Sequence, residues 1–176
     1  DIFESYCGSM IASIAIAYTL VLAGDASAVD MMKLPLLLAS SGLVASILGI
    51  VIVKLQSAKA PASALRSGTL LAPVIFVGFA WFIVQSLPGV SNAVWWCVIA
   101  GAVGGVLIGL ITEYYTGGKP VRDIAESGET GPATVMISGL AVGMESVVIP
   151  IAVLASIIYV STDLSGVYGV GIAAVG

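Results

Sequence analysis

Five long apolar stretches follow one another along the chain, and short polar segments separate them. They cover residues 2–23, 34–53, 67–87, 93–112 and 131–160, and a shorter apolar stretch begins at residue 165. A helix of about 20 apolar residues crosses the hydrocarbon core of a bilayer. Backbone groups in lipid must be satisfied internally, which disfavours strands with open edges. The pattern therefore predicts an all-α, polytopic membrane helix bundle with about five transmembrane helices and the start of a truncated sixth.

The composition excludes several classes of protein. Hydrophobic residues make up 59% of the chain and charged residues only 9%, against about a quarter in an ordinary globular domain. The net charge is −4 without any basic run, so no nucleic-acid partner is indicated. Histidine is absent, which removes histidine triads, proton relays and metal ligands. Cys7 and Cys97 lie far apart inside apolar stretches and suggest no disulfide framework.

Basic residues set the expected orientation. Lys54, Lys59 and Arg66 lie between the second and third stretches, and Lys119 and Arg122 lie between the fourth and fifth. Lys and Arg concentrate on the cytoplasmic side of membrane proteins. We therefore expect both connections in the cytoplasm, and we expect the first stretch to run from inside to outside.

The two ends of the chain indicate an internal piece of a longer protein. Asp1 already heads a membrane stretch, without a preceding Met or a basic leader. The last stretch, residues 165–176, is too short to cross a bilayer. Residues 1–176 are therefore expected to be an internal transmembrane segment of a larger single membrane domain.

Glycine recurs at every fourth position in two of the stretches. Gly101, Gly105 and Gly109 form one series, and Gly139 and Gly143 form the other. Small residues at this spacing let two membrane helices approach closely. We interpret both series as packing seams rather than ligand sites.

Acidic residues in apolar stretches are the candidates for function, because an unpaired charge in a bilayer is costly. Asp1, Glu4 and Ser5 are spaced to share one face of the first helix. Their oxygens can bind a dehydrated cation, or the two carboxyls can share a proton. The alternative is that Asp1 and Glu4 merely lie at the cytoplasmic mouth, where water reaches them.

Glu145 lies near the middle of the fifth stretch. It is interpreted as a structural carboxyl, either protonated or hydrogen-bonded to a neighbouring helix or a second subunit, or else as part of a conduction path. The charged connection before it, from Thr112 to Thr134, lacks a phosphate-binding loop. This connection is predicted to be a capped loop that ends where a helix starts at Pro132.

Three parts of the chain resemble the membrane-integral pyrophosphatases, pumps that hydrolyse inorganic pyrophosphate to move protons or sodium ions. These parts read D-I-F-E-S-Y from Asp1 to Tyr6, I-T-E-Y-Y-T and R-D-I-A-E-S-G-E-T-G-P-A-T continuing into I-S-G-L-A-V-G-M-E-S between Ile111 and Ser146, and G-V-Y-G-V-G-I-A-A-V-G from Gly166 to Gly176. The resemblance implies a homodimer with about sixteen membrane helices per subunit, arranged in an inner and an outer ring. It also implies a multi-pass protein of the prokaryotic cell (inner) membrane, in contact with lipid.

The resemblance further implies where the chemistry lies. The family's Asp-rich clusters, which hold magnesium pyrophosphate, would fall outside residues 1–176, so no catalytic or substrate-binding residue is expected here. Asp1, Glu4 and Ser5 would belong to the ion gate, through which hydrolysis on the cytoplasmic side drives Na⁺ or H⁺ outward. Asp1 and Glu4 would contact the transported cation.

The position of the gate glutamate distinguishes subfamilies. Plant-type proton pumps carry it at the position that Gly8 occupies here, whereas this chain has Glu4. The resemblance therefore favours a prokaryotic enzyme that uses Mg²⁺, depends on K⁺ and pumps Na⁺ rather than H⁺. Glu145 and the seam of Gly139 and Gly143 would face the partner subunit.

Two other classes of protein compete with this interpretation. A secondary transporter or channel fragment without hydrolytic activity explains the composition and topology equally well, but it does not explain the match between Tyr114 and Thr134. A non-catalytic membrane scaffold would leave Asp1 and Glu4 without a purpose.

Overall fold

The computed structural model describes residues 2–24, 28–55 and 61–176, and over that part of the chain it contains helices and no strand. Five of its helical spans are long and apolar enough to cross a membrane, which confirms the predicted all-α membrane bundle. The helices are α1 (Ile2–Leu22), α2 (Ala28–Leu55), α3 (Pro61–Ser86), α4 (Asn92–Gly117), α5 (Lys119–Ser127), α6 (Pro132–Ser146) and α7 (Val148–Val175). One 3-10 turn, Gly128–Thr130, lies between α5 and α6.

One compact unit contains α1–α3, the first part of α4 and the end of α7, that is, the residues up to Val103 together with Ile157–Gly176. Aromatic packing fixes α3 against α4 within it. The Trp95 indole N–H donates to the Val77 carbonyl oxygen at 3.2 Å, and the Trp81 ring lies edge-on to Trp95 with centroids 4.7 Å apart. The core of this unit consists of buried apolar side chains from several helices, including Leu34, Leu38, Phe76, Val84, Val94, Val98 and Ile172.

The last residues of α7 pack closely against two other helices of this unit. We call residues 167–175 the terminal segment. A Cβ added at Gly101 of α4 would collide with the Ala173 carbonyl oxygen. A Cβ added at Gly171 would lie 3.0 Å from the Ser13 Oγ of α1. The terminal segment therefore lies against both α1 and α4, and a glycine permits the close approach at each contact.

The second unit, Gly104–Ser156, corrects one prediction. The connection predicted as a capped loop is largely helical: α4 continues to Gly117, and α5 follows directly. Pro120 lies in the first turn of α5, where its missing N–H has no helical partner to lose. Val121 and Ile124 then recur at helical spacing and give α5 an apolar side. The predicted start of the next helix at Pro132 is confirmed.

The fifth apolar stretch is interrupted in the structure. α6 ends at Ser146 and α7 begins at Val148. Pro150 explains this break, because proline has no N–H to donate to the Ser146 carbonyl and its ring crowds that group. A second irregularity lies at Ser165 (φ −147°, ψ 19°) and Gly166 (φ 63°, ψ −156°). The positive φ is accessible to glycine at little cost, so Gly166 allows the chain to kink where the sixth stretch was predicted to begin.

Candidate functional site

Glu4 and Ser5 lie in the first turns of α1, the helix predicted to carry the ion gate. Both side chains are exposed. Among the described residues, neither has a hydrogen-bond or ion-pair partner. Asp1, the third predicted member of the gate, lies outside the described residues. The described part of the predicted gate thus consists of a carboxylate and a hydroxyl whose oxygens are available to an ion or to another helix.

Gly8 lies one helical turn beyond Glu4 on the same side of α1. A Cβ added at Gly8 meets no atom within 4 Å, so a larger side chain fits at this position. An acidic side chain can therefore be accommodated at position 4 or at position 8 of α1. This chain has it at position 4, nearer the start of the helix.

Two serines further along α1 are bonded to the backbone of their own helix. The Ser9 Oγ donates to the Tyr6 carbonyl oxygen at 2.8 Å, and the Ser13 Oγ donates to the Ser9 carbonyl oxygen at 2.7 Å. Ser13 is fully buried and lies against Gly171 of the terminal segment. Ser13 therefore serves helix packing, and its distance from Glu4 along α1 is about 14 Å at 1.5 Å per residue.

Glu145 has a partner in the second unit. The Tyr115 hydroxyl of α4 donates to the Glu145 Oε1 of α6 at 3.2 Å. The Tyr114 ring lies edge-on to Tyr115, with centroids 5.3 Å apart. A hydrogen bond from Glu145 to a neighbouring helix was one of the predicted alternatives. Its donor could not be predicted, because nothing in the sequence pattern relates Glu145 to a tyrosine 30 residues earlier.

The glycine seam of α6 is open along its length. A Cβ added at Gly139 or Gly143 meets no atom within 4 Å. Large apolar side chains on the same helix are exposed, and no residue of α6 is buried. They are Met136, Ile137, Leu140 and Met144. The seam therefore presents small residues and apolar surface that no described residue of this unit covers.

Hydroxyl groups hold the turn before α6, inside the sequence run that carries the family resemblance. The Thr134 Oγ1 lies 2.8 Å from the Ser127 carbonyl oxygen, 2.6 Å from the Gly131 carbonyl oxygen and 2.7 Å from the Thr130 Oγ1. Gly131 has a φ of 132°, a backbone conformation that would be strained in a residue with a side chain. This short run is thus built to end one helix and start the next within a few residues.

No group of three or more His, Cys, Asp or Glu side chains lies close enough together in the described part of the chain to hold a metal ion. Magnesium is usually bound through carboxylates and substrate phosphates. No step involving Mg²⁺ is therefore assigned to these residues.

The fold and the acidic residue at the head of an apolar helix define a polytopic helical membrane protein. A family model described as "Inorganic H+ pyrophosphatase" matches residues 1–176, and the chain belongs to this family.

Curated relatives extend the comparison. Proteins of Clostridium tetani and Bacteroides thetaiotaomicron, both named "Putative K(+)-stimulated pyrophosphate-energized sodium pump", are 39% and 37% identical over the whole chain. A Methanosarcina mazei protein named "K(+)-insensitive pyrophosphate-energized proton pump" is 35% identical over 99% of the chain. The chain spans about a quarter of the length of these relatives, 26% to 27% in each case.

Proposed function

We propose that residues 1–176 are the gate-bearing part of a longer ion pump, in which hydrolysis of magnesium pyrophosphate on the cytoplasmic side drives Na⁺ outward across a prokaryotic cell membrane. The family match over the full chain is the observation that carries this proposal. The relatives named as pyrophosphate-energized pumps support it. A secondary transporter or channel is not favoured, because neither class accounts for this match.

Sodium is the proposed ion for two reasons. The relatives named as sodium pumps, at 39% and 37% identity, are more similar than the relative named as a proton pump, at 35%. The two former names also include stimulation by K⁺, which we extend to this pump. The acidic group at Glu4 rather than at Gly8 supports the same assignment.

The gate is proposed to act through hard oxygen ligands. Glu4 offers a carboxylate and Ser5 a hydroxyl, both exposed at the start of α1, and Asp1 would add a second carboxylate. A Na⁺ ion that has lost its water needs such oxygens, and an ionised carboxylate needs a cation in a low-dielectric setting. Cation and carboxylate would therefore stabilise each other until hydrolysis changes the charge above the gate.

A proton pump is the second candidate function, because the M. mazei relative carries that name. One assay separates the two candidates: hydrolysis of pyrophosphate by membranes carrying the full-length protein, with Mg²⁺ and K⁺ present and Na⁺ varied from none to about millimolar levels. The sodium pump predicts little hydrolysis without Na⁺ and saturable activation as Na⁺ is added. A hydrolysis rate that does not depend on the Na⁺ concentration would instead support the proton pump. Absence of hydrolysis under every ionic condition would contradict both candidates.

We also propose that the pump is a homodimer and that the open seam of α6 faces the partner subunit. Gly139 and Gly143 leave room for close helix approach, and exposed apolar side chains flank them. Glu145 lies two residues beyond Gly143 and keeps its Oε2 without a hydrogen-bond partner among the described residues. A group from the partner helix would satisfy that oxygen.

A cysteine at Gly143 is expected to crosslink two subunits when the full-length protein is oxidised in its membrane. The background should carry Cys7→Ser and Cys97→Ala, together with replacement of every cysteine that the full-length protein has outside residues 1–176, so that no native thiol reacts. Cα atoms joined by a disulfide lie about 4.4–6.8 Å apart, which only a close seam permits. Gly109→Cys on α4, also in an open glycine position, is the matched control. A crosslink from the control but not from Gly143→Cys would move the dimer contact to α4.

A further inference from the structure

In the first unit, a proline leaves one backbone carbonyl without its helical donor, and a distant tyrosine supplies a donor in its place. Pro35 lies inside α2 and has no N–H, so the Met31 carbonyl four residues earlier lacks its usual helical donor. The Tyr168 hydroxyl of the terminal segment donates to that same Met31 oxygen at 2.7 Å. The hydrogen bond thus joins α2 to a residue 137 positions away in the sequence.

The Tyr168 hydroxyl and the Met31 carbonyl each depend on this contact, because the side chains around it are largely buried. Pro35 is fully buried and Tyr168 is only 2% exposed. A buried carbonyl or hydroxyl that lacks a partner costs about 1–3 kcal/mol. Loss of the hydroxyl would leave the Met31 oxygen without a donor, and loss of the free carbonyl would leave the hydroxyl without its acceptor.

Tyr168 lies at the point of α7 where the terminal segment begins. Tyr168 lies two residues after Gly166, the centre of the kink that separates the terminal segment from the rest of α7. Beyond Tyr168, Gly171 lies against Ser13 of α1. The hydrogen bond to Met31 therefore holds the terminal segment directly after the kink, and the segment packs on α1 through Gly171.

We propose that Tyr168 is a positioning residue: its hydroxyl replaces the missing N–H of Pro35 at the Met31 carbonyl and so fixes the terminal segment to α2, in the place where it packs on α1, the helix that carries Glu4. We call this hydrogen bond the latch. The latch is a property of the fold alone. Its effect on Na⁺ rests on the proposed function, because it acts through the placement of the Glu4 gate.

A double-mutant cycle in the full-length protein tests the latch. Tyr168→Phe removes the donor and is expected to lower the thermal unfolding midpoint clearly. Pro35→Ala returns an N–H to α2, which can then satisfy Met31 within the helix. In the Pro35→Ala background, Tyr168→Phe is expected to cost less than about half as much, since neither partner is left orphaned. The cavity made by Pro35→Ala is common to both arms and cancels.

Tyr159→Phe is the matched control, because Tyr159 lies on the same helix and is 76% exposed. We expect it to leave the midpoint unchanged in both backgrounds. An equal loss from Tyr168→Phe in the two backgrounds would overturn the latch, since the hydroxyl would then act independently of the proline.

The positioning role is tested by the Na⁺ concentration that half-activates pyrophosphate hydrolysis. Tyr168→Phe is expected to raise this concentration about threefold or more, which corresponds to about 0.7 kcal/mol of weaker ion binding, with little change in the maximal rate. Pro35→Ala is expected to reverse most of that shift in the double variant. A coupled stability cycle with an unchanged Na⁺ requirement would overturn the positioning role. If the parent protein hydrolyses no pyrophosphate, the proposed function fails, while the stability cycle still decides the latch.

Discussion

Replacing Glu4 with Gln in the full-length protein is expected to weaken Na⁺ binding at least about tenfold, a loss of about 1.4 kcal/mol or more, and to lower Na⁺ transport accordingly. The substitution keeps the size of the side chain and removes its negative charge. A cation held by neutral oxygens in a low-dielectric site loses the attraction that offsets its dehydration. The measurements are pyrophosphate-driven Na⁺ uptake and the Na⁺ requirement of hydrolysis.

Glu126→Gln provides the matched control for this prediction. Glu126 is also an exposed carboxylate, but it lies on α5 of the second unit rather than on an apolar helix. We expect its removal to leave transport within about twofold of the unmodified protein, because a hydrated surface charge contributes little. Unchanged transport and Na⁺ dependence in Glu4→Gln would exclude Glu4 from the gate.

Gly101→Ala is expected to destabilise the protein by about 2–3 kcal/mol, the cost of overpacking a tight contact. A Cβ at this position collides with the carbonyl oxygen of Ala173 and comes within 2.9 Å of its carbonyl carbon. Backbone atoms cannot rotate away as a flexible side chain does, so the terminal segment must shift as a whole. The measurement is the thermal unfolding midpoint of the purified protein.

Gly105→Ala, one turn along the same helix, is the control for this substitution. A Cβ at Gly105 meets no atom within 4 Å, and alanine has the higher helix propensity, so we expect the midpoint to hold or rise slightly. Equal midpoints for Gly101→Ala and Gly105→Ala would contradict the close approach of α4 and the terminal segment.

The membrane helices could be predicted because their signal is local: each is an apolar stretch of about 20 residues or more. The residues at which these helices begin and end were harder to predict. α2 begins at Ala28 and α4 continues to Gly117, since a helix that has formed extends past the hydrocarbon as long as no residue stops it. The charged connection between the fourth and fifth stretches was predicted as a loop for a different reason: its polar composition hides the helical spacing of the apolar residues in α5.

Tertiary contacts were beyond the reach of the sequence pattern. The spacing of Gly101 predicted a close helix contact but not its partner, Ala173. Pro35 gave no such signal, because it lies at the start of the predicted stretch 34–53, where a proline leaves no carbonyl unpaired; it lies inside the helix only because α2 begins at Ala28. Nothing in the pattern identified Tyr168 as the donor to Met31, since the two residues meet only after several helices have packed.

The candidate gate residues were chosen by residue type and position, and their role stays a prediction. A carboxylate in an apolar helix stands out, and the structure places Glu4 exposed at the start of α1. The structure adds the open space at Gly8, which explains how an acidic group fits at either position of this helix.

Measuring Na⁺ uptake shows whether pyrophosphate hydrolysis moves Na⁺ through the full-length protein, as we propose. Inverted membrane vesicles carrying the full-length protein would receive Mg²⁺, K⁺ and pyrophosphate, with an ionophore present to dissipate any proton gradient. We expect Na⁺ accumulation that starts when pyrophosphate is added, continues in the presence of the proton ionophore and stops when pyrophosphate is exhausted. Vigorous hydrolysis without Na⁺ accumulation would contradict this proposal.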